Sequence, residues 1–600
     1  MPEASPERVT VAGDAEVREF TARGFVIGAI LALLLGSANA YLGLYAGMTV
    51  SASIPAAVIS MAVLRVLGGA TILENNVVQT IASAGEAVAA GAIFTFPALV
   101  ILGYRGPLPY WDVTALCLAG GTIGSLLVVF LRRAYIVEER LPFPEGLACA
   151  EVLRAGAAGS AGVAPLAFGG VIAAALKAAQ DVLGIVPGAI SGARWIGKAA
   201  FAGSIDISAA LLGVGHIVGV QIASLVFLGG AIAWLLAVPI ASALHPQFGS
   251  FGAAAAAQQI WSGEARYLGV GAMLTGGIAV LWRLRRAIGR GLVESSQVLR
   301  VAGSATPVAR VDTDLPTGVV LAAVILSIPV IFVVSWLLSG SLWLSAAMAL
   351  ALAVIGFFAT AIAGYLTGIV GASNNPVSGV TIIVLLAIAI LLKLLGVTAN
   401  VGPRLAIMAG AVVCTAAAMA GDSMHDLATG FHVGATPRRL EVAVLLGAIV
   451  SSFLMAPILN LLIRGYGIAG MPGAKAQALA APQAFLMAKV AQGVFSGDLP
   501  WRIIVIGAIL AVGLIWIDGW LVRRKSRWRT PVMPVAIGLY LPLGLSVAIL
   551  LGSLARIRRP SQSEGASFGL LFAAGLVAGE ALMGVASGVL VTAGTRLPLF

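Results

Sequence analysis

Apolar runs of about twenty residues recur from one end of this 600-residue chain to the other, and no other feature constrains its fold as tightly. A run of that length, wound at 1.5 Å per residue, crosses a hydrocarbon layer of about 30 Å. In such a layer every backbone N–H and C=O must be satisfied within the chain, which leaves only helices or a closed barrel. Barrel strands are short and alternate in polarity, whereas these runs are continuous, so helices are expected. The balance of 60% hydrophobic and 10% charged residues agrees, being far from that of a soluble domain. The 74 glycines fit close backbone approach between helices in lipid.

The predicted spans are 24–46, 49–67, 76–104, 112–131, 164–186, 206–223, 224–243 and 267–284, then 317–338, 342–366, 376–396, 404–421, 440–463, 502–521, 533–552 and 566–593. The fold class is therefore an all-α polytopic membrane protein of about sixteen helices. A net charge of +11 would suggest nucleic acid in a soluble protein. Here the basic residues cluster in short gaps, at Arg132–Arg133, Arg283 to Arg290, Arg438–Arg439 and Arg523 to Arg529, the pattern that fixes cytoplasmic loops. With both termini cytoplasmic, these clusters all follow even-numbered spans. Arg556, Arg558 and Arg559 then fall on the wrong side, unless that hairpin is misread or 480–498 spans. Three cysteines without a CxxC pair predict neither disulfides nor a thiolate metal site.

Four segments follow: a polar cytoplasmic tail 1–23, a first membrane half 24–290, a linker 291–316 and a second half 317–600. The halves read as a repeat. The segment Leu141 to Gly146 stands where Gly470 to Gly473 stands in the second half. Gly213 and Gly219 match Gly538 and Gly544, and the span at 267 matches that at 567. Internal duplication is common in secondary transporters, whose sites form between repeats near helix breaks or re-entrant segments.

Ionisable and amide side chains at membrane depth are functional candidates. Asn76, Gln79, Ser83 and Glu86 step by three and four residues and share one helical face, with Glu86 a candidate proton carrier. Asp422, His425, Asp426 and Thr429 form a second group, with His432 further on. It reads either as a pathway lining or as a cytoplasmic helix end before Pro437. Asn374-Asn375-Pro376 marks a break between helices, open to substrate or ions if it lies at depth. Glu145 and Glu151 lie in an apolar stretch too short to span and suit a gate or a surface anchor. Lys177 and Asp181, four apart, suit mutual neutralisation. No unambiguous intramembrane arginine stands out.

The blocks 75–103 (NNVVQTIASAGEAVAAGAIFTFPALVILG), 141–156 (LPFPEGLACAEVLRAG), 373–382 (SNNPVSGVTI) and 425–439 (HDLATGFHVGATPRR) resemble the oligopeptide transporter family. The resemblance is greatest to its bacterial members and to its metal-chelate, yellow stripe-like branch. It implies proton-coupled uptake of small peptides or peptide-like metal chelates by alternating access, with lipid as the surrounding partner. It implies no resident cofactor, and H+ as the coupling ion. The family commonly carries Gln-Asp-Leu-Lys-Thr-Gly where this chain has His425 to Gly430. Asp426 and Thr429 match, while His425 and Ala428 depart from the pattern. No dedicated metal site is expected, and His425 and His432 are the candidate chelate contacts. A multi-pass protein of the inner (plasma) membrane is implied, and a homo-oligomer stays open. The alternatives are a membrane-embedded enzyme, which should show a compact acid/base or metal constellation, and a channel, which should show a repeated filter. Neither signature occurs, and no phosphate-binding glycine-lysine loop supplies ATP.

Overall fold

The computed structural model describes residues 18–592, apart from 48, 50, 105, 158–162, 246–248, 277, 280–281, 283–309, 373–374, 376, 473, 475–477, 498–499, 527 and 558–567. The first half contributes α1 (Ala22–Ala46), α2 (Ser53–Val66), α3 (Ile72–Thr95), α4 (Tyr110–Arg132), α5 (Pro144–Ala157), α6 (Val163–Asp181), α7 (Ala209–Ala231) and α8 (Ala253–Ile260). A further helical run covers 266–276. The second half contributes α9 (Thr317–Ser339), α10 (Leu342–Val370), α11 (Val377–Leu394), α12 (Gly402–Val433), α13 (Pro437–Tyr466), α14 (Pro482–Ser496), α15 (Trp501–Arg523), α16 (Val532–Tyr540), α17 (Leu543–Ile557) and α18 (Phe568–Thr592). Eleven helices among the described residues are long and apolar enough to cross a membrane, so the chain is a polytopic α-helical membrane protein. Of the remaining predicted spans, 267–284 lies partly outside the described residues, and the others are shorter or merged with a neighbour.

Burial ranks the helices. The most apolar window of α3 is 89% buried and that of α12 94%, whereas those of α9 and α15 are only 22% and 28% buried. The first pair forms the centre. The second pair presents Leu326, Leu337, Ile509 and Trp516 outward, as a lipid-facing rim does. Around the centre the halves make matching contacts: α1 packs on α3 as α10 packs on α12, and α2 on α3 as α11 on α12. Likewise α3 meets α13 as α12 meets α4, and α2 meets α5 as α11 meets α14. A flanking group joins α6 to α18 and α7 to α16 and α17. Glycine makes these crossings close: a methyl group on Gly124 of α4 would collide with the Ala416 carbonyl of α12.

Four features depart from the sequence reading. The spans predicted at 206–223 and 224–243 fall on the helical run Ala209–Leu244, which breaks at Gly219 (φ 80°, ψ 169°), a backbone only glycine holds without strain, so the division comes a few residues earlier than expected and the first piece is short. The span predicted at 533–552 is instead two short helices, with Leu541 extended between them. The span predicted at 404–421 runs on to Val433, where Gly434 in the left-handed region caps it. Lastly, an antiparallel ribbon, β1 (Ala189–Ile196) and β2 (Ala199–Asp206), turns at Gly197–Lys198. The 3.6-residue pattern of a span is absent there, and Gly197 at φ 61° suits the tight turn.

The end of the linker is fastened to the α12–α13 turn. Arg310 bonds the Glu19 carboxylate and, at 3.0 Å, the Gly434 carbonyl, while Glu19 also accepts from the Thr436 backbone N–H at 3.1 Å. The Leu315 N–H donates to Glu441 at 2.7 Å, and Arg132 pairs with Asp314. Most of the predicted linker, and residues 1–17 of the predicted tail, lie outside the described residues.

Candidate functional site

Thr71 caps α3 by accepting the Glu74 N–H at 3.0 Å and so fixes where the helix begins. Along it Asn76, Gln79, Ser83 and Glu86 turn inward, and all four are fully or almost fully buried. On α12 the continuous helix places Thr429 about one turn, and Asp422 about three turns, inside its C-terminus, with His425 and Asp426 between them. Asp426 and Thr429 are fully buried, His425 nearly so, and Asp422 is half-buried. The reading of this group as a helix end is therefore corrected: it belongs to the crossing of the two central helices.

The stripes meet directly. The Gln79 amide donates to the Asp426 carboxylate, and the Ser53 hydroxyl lies 3.3 Å from the same oxygen and 3.1 Å from Ser83. Glu86 accepts the Ala52 backbone N–H, just before α2. Thr429 donates towards the Gly146 carbonyl of α5 at 3.1 Å. Among the described residues none of the carboxylates of Glu86, Asp422 and Asp426 is ion-paired. Several buried polar atoms here also have no hydrogen-bond partner: both amide atoms of Asn76, Gln79 Oε1, Asp426 Oδ2 and both ring nitrogens of His425. Such orphans are rare in folded interiors and mark places where a proton, water or ligand completes the bonding.

A cavity of about 110 Å³ adjoins this crossing. Its walls come from equivalent parts of the two halves. Thr49 and Ser51 lie on the α1–α2 joint and Ala372 and Asn375 on the α10–α11 joint, while Glu86 faces in from α3 and Asp422 from α12. Gln483 of α14 completes the rim and donates at 3.3 Å to the Gly47 carbonyl, where α1 ends. The space has room for a few water molecules, and both joints border it.

The other predicted residues fall as follows. Asn375 donates to Thr367 Oγ1 at 2.9 Å and the Ala363 carbonyl at 3.2 Å, closing the α10–α11 break. Asn374 lies outside the described residues. Glu145, at the start of α5, lies against Gly371 at that same break, so the short helix does reach the centre. Glu151 instead pairs with Arg154 at 2.7 Å, and both are partly exposed. His432 is half-buried, and its carbonyl accepts from Arg154 at 2.6 Å. It stands about 10 Å along the helix axis from His425, with Thr429 between them, so the structure does not bring the two histidines together. Among the described residues no three His, Cys, Asp or Glu side chains gather as a metal site would require.

Several site residues escaped the sequence reading. Ser53 and Gln483 sit in apolar runs with no partner in register, and nothing local marks them. Lys177 and Asp181 do pair, at 3.0 Å, but they also anchor a larger group. Tyr466 lies 2.9 Å from Asp181, and Lys177 stands over the rings of Tyr41 and Tyr45. Glu580 of α18 accepts from Ser208 and the Ala210 N–H, capping α7.

Comparison with known proteins places this architecture. Residues 19–591 match the family model described as OPT oligopeptide transporter protein. A Haemophilus influenzae protein described as a candidate oligopeptide transporter is 35% identical, the match covering 93% of this chain and 94% of the relative.

Proposed function

The chain belongs to the oligopeptide transporter family, and from that premise we propose that it is a proton-coupled symporter of small oligopeptides working by alternating access. One observation carries the proposal: three carboxylates, Glu86, Asp422 and Asp426, crowd the junction of α3 and α12 without a basic partner among the described residues. Unpaired buried charge is costly, so such a group is stable when it holds protons or a ligand cation. Proton entry and the arrival of a peptide ammonium are then linked through the same carboxylates. Glu86 is the proton carrier, because it faces the cavity while its other contact is a backbone N–H. Asp426, steadied by Gln79 and Ser53, orders the second half of the site. A cavity of about 110 Å³ is smaller than an oligopeptide requires, so loading requires the α1–α2 and α10–α11 joints to part. The protein sits in the inner membrane with its N-terminus cytoplasmic, and transport runs inward.

The test is uptake by purified protein in liposomes under an inward proton gradient. The expected result is gradient-dependent accumulation of a di- to pentapeptide mixture. An arm with iron, nickel or copper chelates of the same mixture separates the branches. Accumulation of chelates alone moves the substrate to the metal-chelate class. A sodium gradient that drives uptake where a proton gradient does not refutes proton coupling. Correctly inserted protein that moves none of these ligands refutes the transporter reading.

A further inference from the structure

We infer that Arg266 binds the terminal carboxylate of the transported ligand, so that the protein selects peptides with a free C-terminus. The inference rests on the peptide-transport reading above. Arg266 stands at the head of the helical run 266–276, directly after a π-helical turn, Trp261–Ala265. Its guanidinium carbon lies 4.6 Å from the ring centroids of Trp261, Phe485 and Tyr540 alike. The cage is rigid. Trp261 stacks on Trp234 at 5.3 Å, and the Trp234 indole donates to the Leu541 carbonyl at the α16–α17 break.

Aromatic faces hold a guanidinium by cation–π attraction but accept none of its in-plane hydrogen bonds. Arg266 Nε is buried without a hydrogen-bond partner, and among the described residues no carboxylate lies within ion-pair distance of the side chain. A permanent cation in this setting lacks its anion. The planar fork matches a carboxylate in two-point fashion, with the rings fixing the plane beforehand.

Two of the cage residues stand on helices that contribute to the cavity wall. Phe485 follows two residues after Gln483 on α14, and Tyr540 follows one turn after Ile537 on α16; Gln483 and Ile537 both line the cavity. The cavity therefore has carboxylates on its α3–α12 side and, behind its α14–α16 side, a guanidinium with no carboxylate partner among the described residues. This is the polarity of a zwitterion, with an ammonium at one end and a carboxylate at the other.

The experiment measures uptake of radiolabelled trialanine and of trialanine C-terminal amide by wild-type, R266Q and R266K protein in liposomes. Each variant is checked for monodispersity before reconstitution. Wild type is expected to prefer the free acid. R266Q is expected to lower apparent affinity for the acid by about tenfold or more while leaving the amide unchanged, so the preference collapses. R266K, which keeps charge without the fork, is expected to fall between. Equal wild-type handling of acid and amide overturns the inference while leaving peptide transport standing, and it needs no variant to fold. Parallel losses for both ligands in R266Q and R266K also overturn it and assign Arg266 to packing alone. Wild-type protein that accumulates neither ligand overturns the transport reading and this inference together.

Discussion

Replacing Glu86 by Gln isolates one titratable proton from the rest of the site. The amide oxygen of Gln accepts the Ala52 N–H as the carboxylate does, so the α2–α3 contact survives. The Gln79–Asp426 and Ser53–Ser83 contacts lie elsewhere on the stripe and are untouched. What disappears is a group that can carry a proton in and release it. A gradient of one pH unit supplies about 1.4 kcal/mol per coupled proton, which sustains about a tenfold peptide concentration ratio. Each carrier removed thus lowers the limiting ratio by one factor of about ten. If Glu86 is the sole carrier, accumulation ends at equal concentrations inside and outside. The assay is radiolabelled peptide uptake into liposomes at matched protein content, with and without an imposed proton gradient. Counterflow, which exchanges peptide with no net proton movement, is expected to persist and reports a folded, ligand-binding protein. Undiminished gradient-driven accumulation by E86Q would refute the role given to Glu86.

Three further outcomes follow from the same contacts. H425Q is expected to keep gradient-driven uptake, because neither ring nitrogen of His425 holds a hydrogen bond; complete loss would show a role the geometry does not reveal. G124A is expected to destabilise the α4–α12 crossing by about 1–3 kcal/mol, seen as a lower thermal midpoint in detergent, because the new methyl meets the Ala416 carbonyl; an unchanged midpoint would refute that packing. Y466F removes a hydroxyl that lies 2.9 Å from Asp181 and 2.6 Å from the Gly584 carbonyl, and is expected to cost about 1–3 kcal/mol of stability in the same measurement. A midpoint equal to wild type would show that the Lys177–Asp181 pair stands without it.

The central stripes were legible because a helix repeats its face every three to four residues, and amides spaced that way in an apolar run are too costly to face lipid, so they turn inward together. What was hidden depends on how runs break and pair. Average hydropathy does not register a single glycine with positive φ, so the break at Gly219 was placed a few residues late, between 223 and 224. A different error joined α16 to α17, since Leu541 and Pro542 are themselves apolar. The ribbon at 189–206 had a local signal, a two-residue turn at Gly197–Lys198 between short runs, but its Gly- and Ala-rich strands alternate too weakly to stand out. Arg266 was hidden for a different reason. Ser262, Gly263 and Glu264 precede it and give its surroundings the composition of a loop, although they form a helical turn, and only tertiary packing brings Phe485 and Tyr540 onto it from the other half.

That last distinction separates what one half of the chain can specify from what requires both. Each half supplies a break, a short helix and one polar central helix, and neither supplies a closed site. Both joints line the same cavity as Glu86 of α3 and Asp422 of α12, so its wall needs both halves. Two joints in equivalent positions border one set of carboxylates from opposite halves, and under the proposed alternating access one joint would open while its counterpart keeps the site covered. A single central helix with the same residues would offer charge without a gate. The proposal of coupled transport therefore draws its support from the pairing of the halves more than from any one carboxylate. Substitutions at the joints, on Ser51 or Asn375, are accordingly the ones expected to alter transport rate without altering proton stoichiometry, read as initial uptake rate against limiting accumulation in the same liposomes. A change in the limiting accumulation ratio at those positions would place proton binding in the joints themselves and overturn this division of labour.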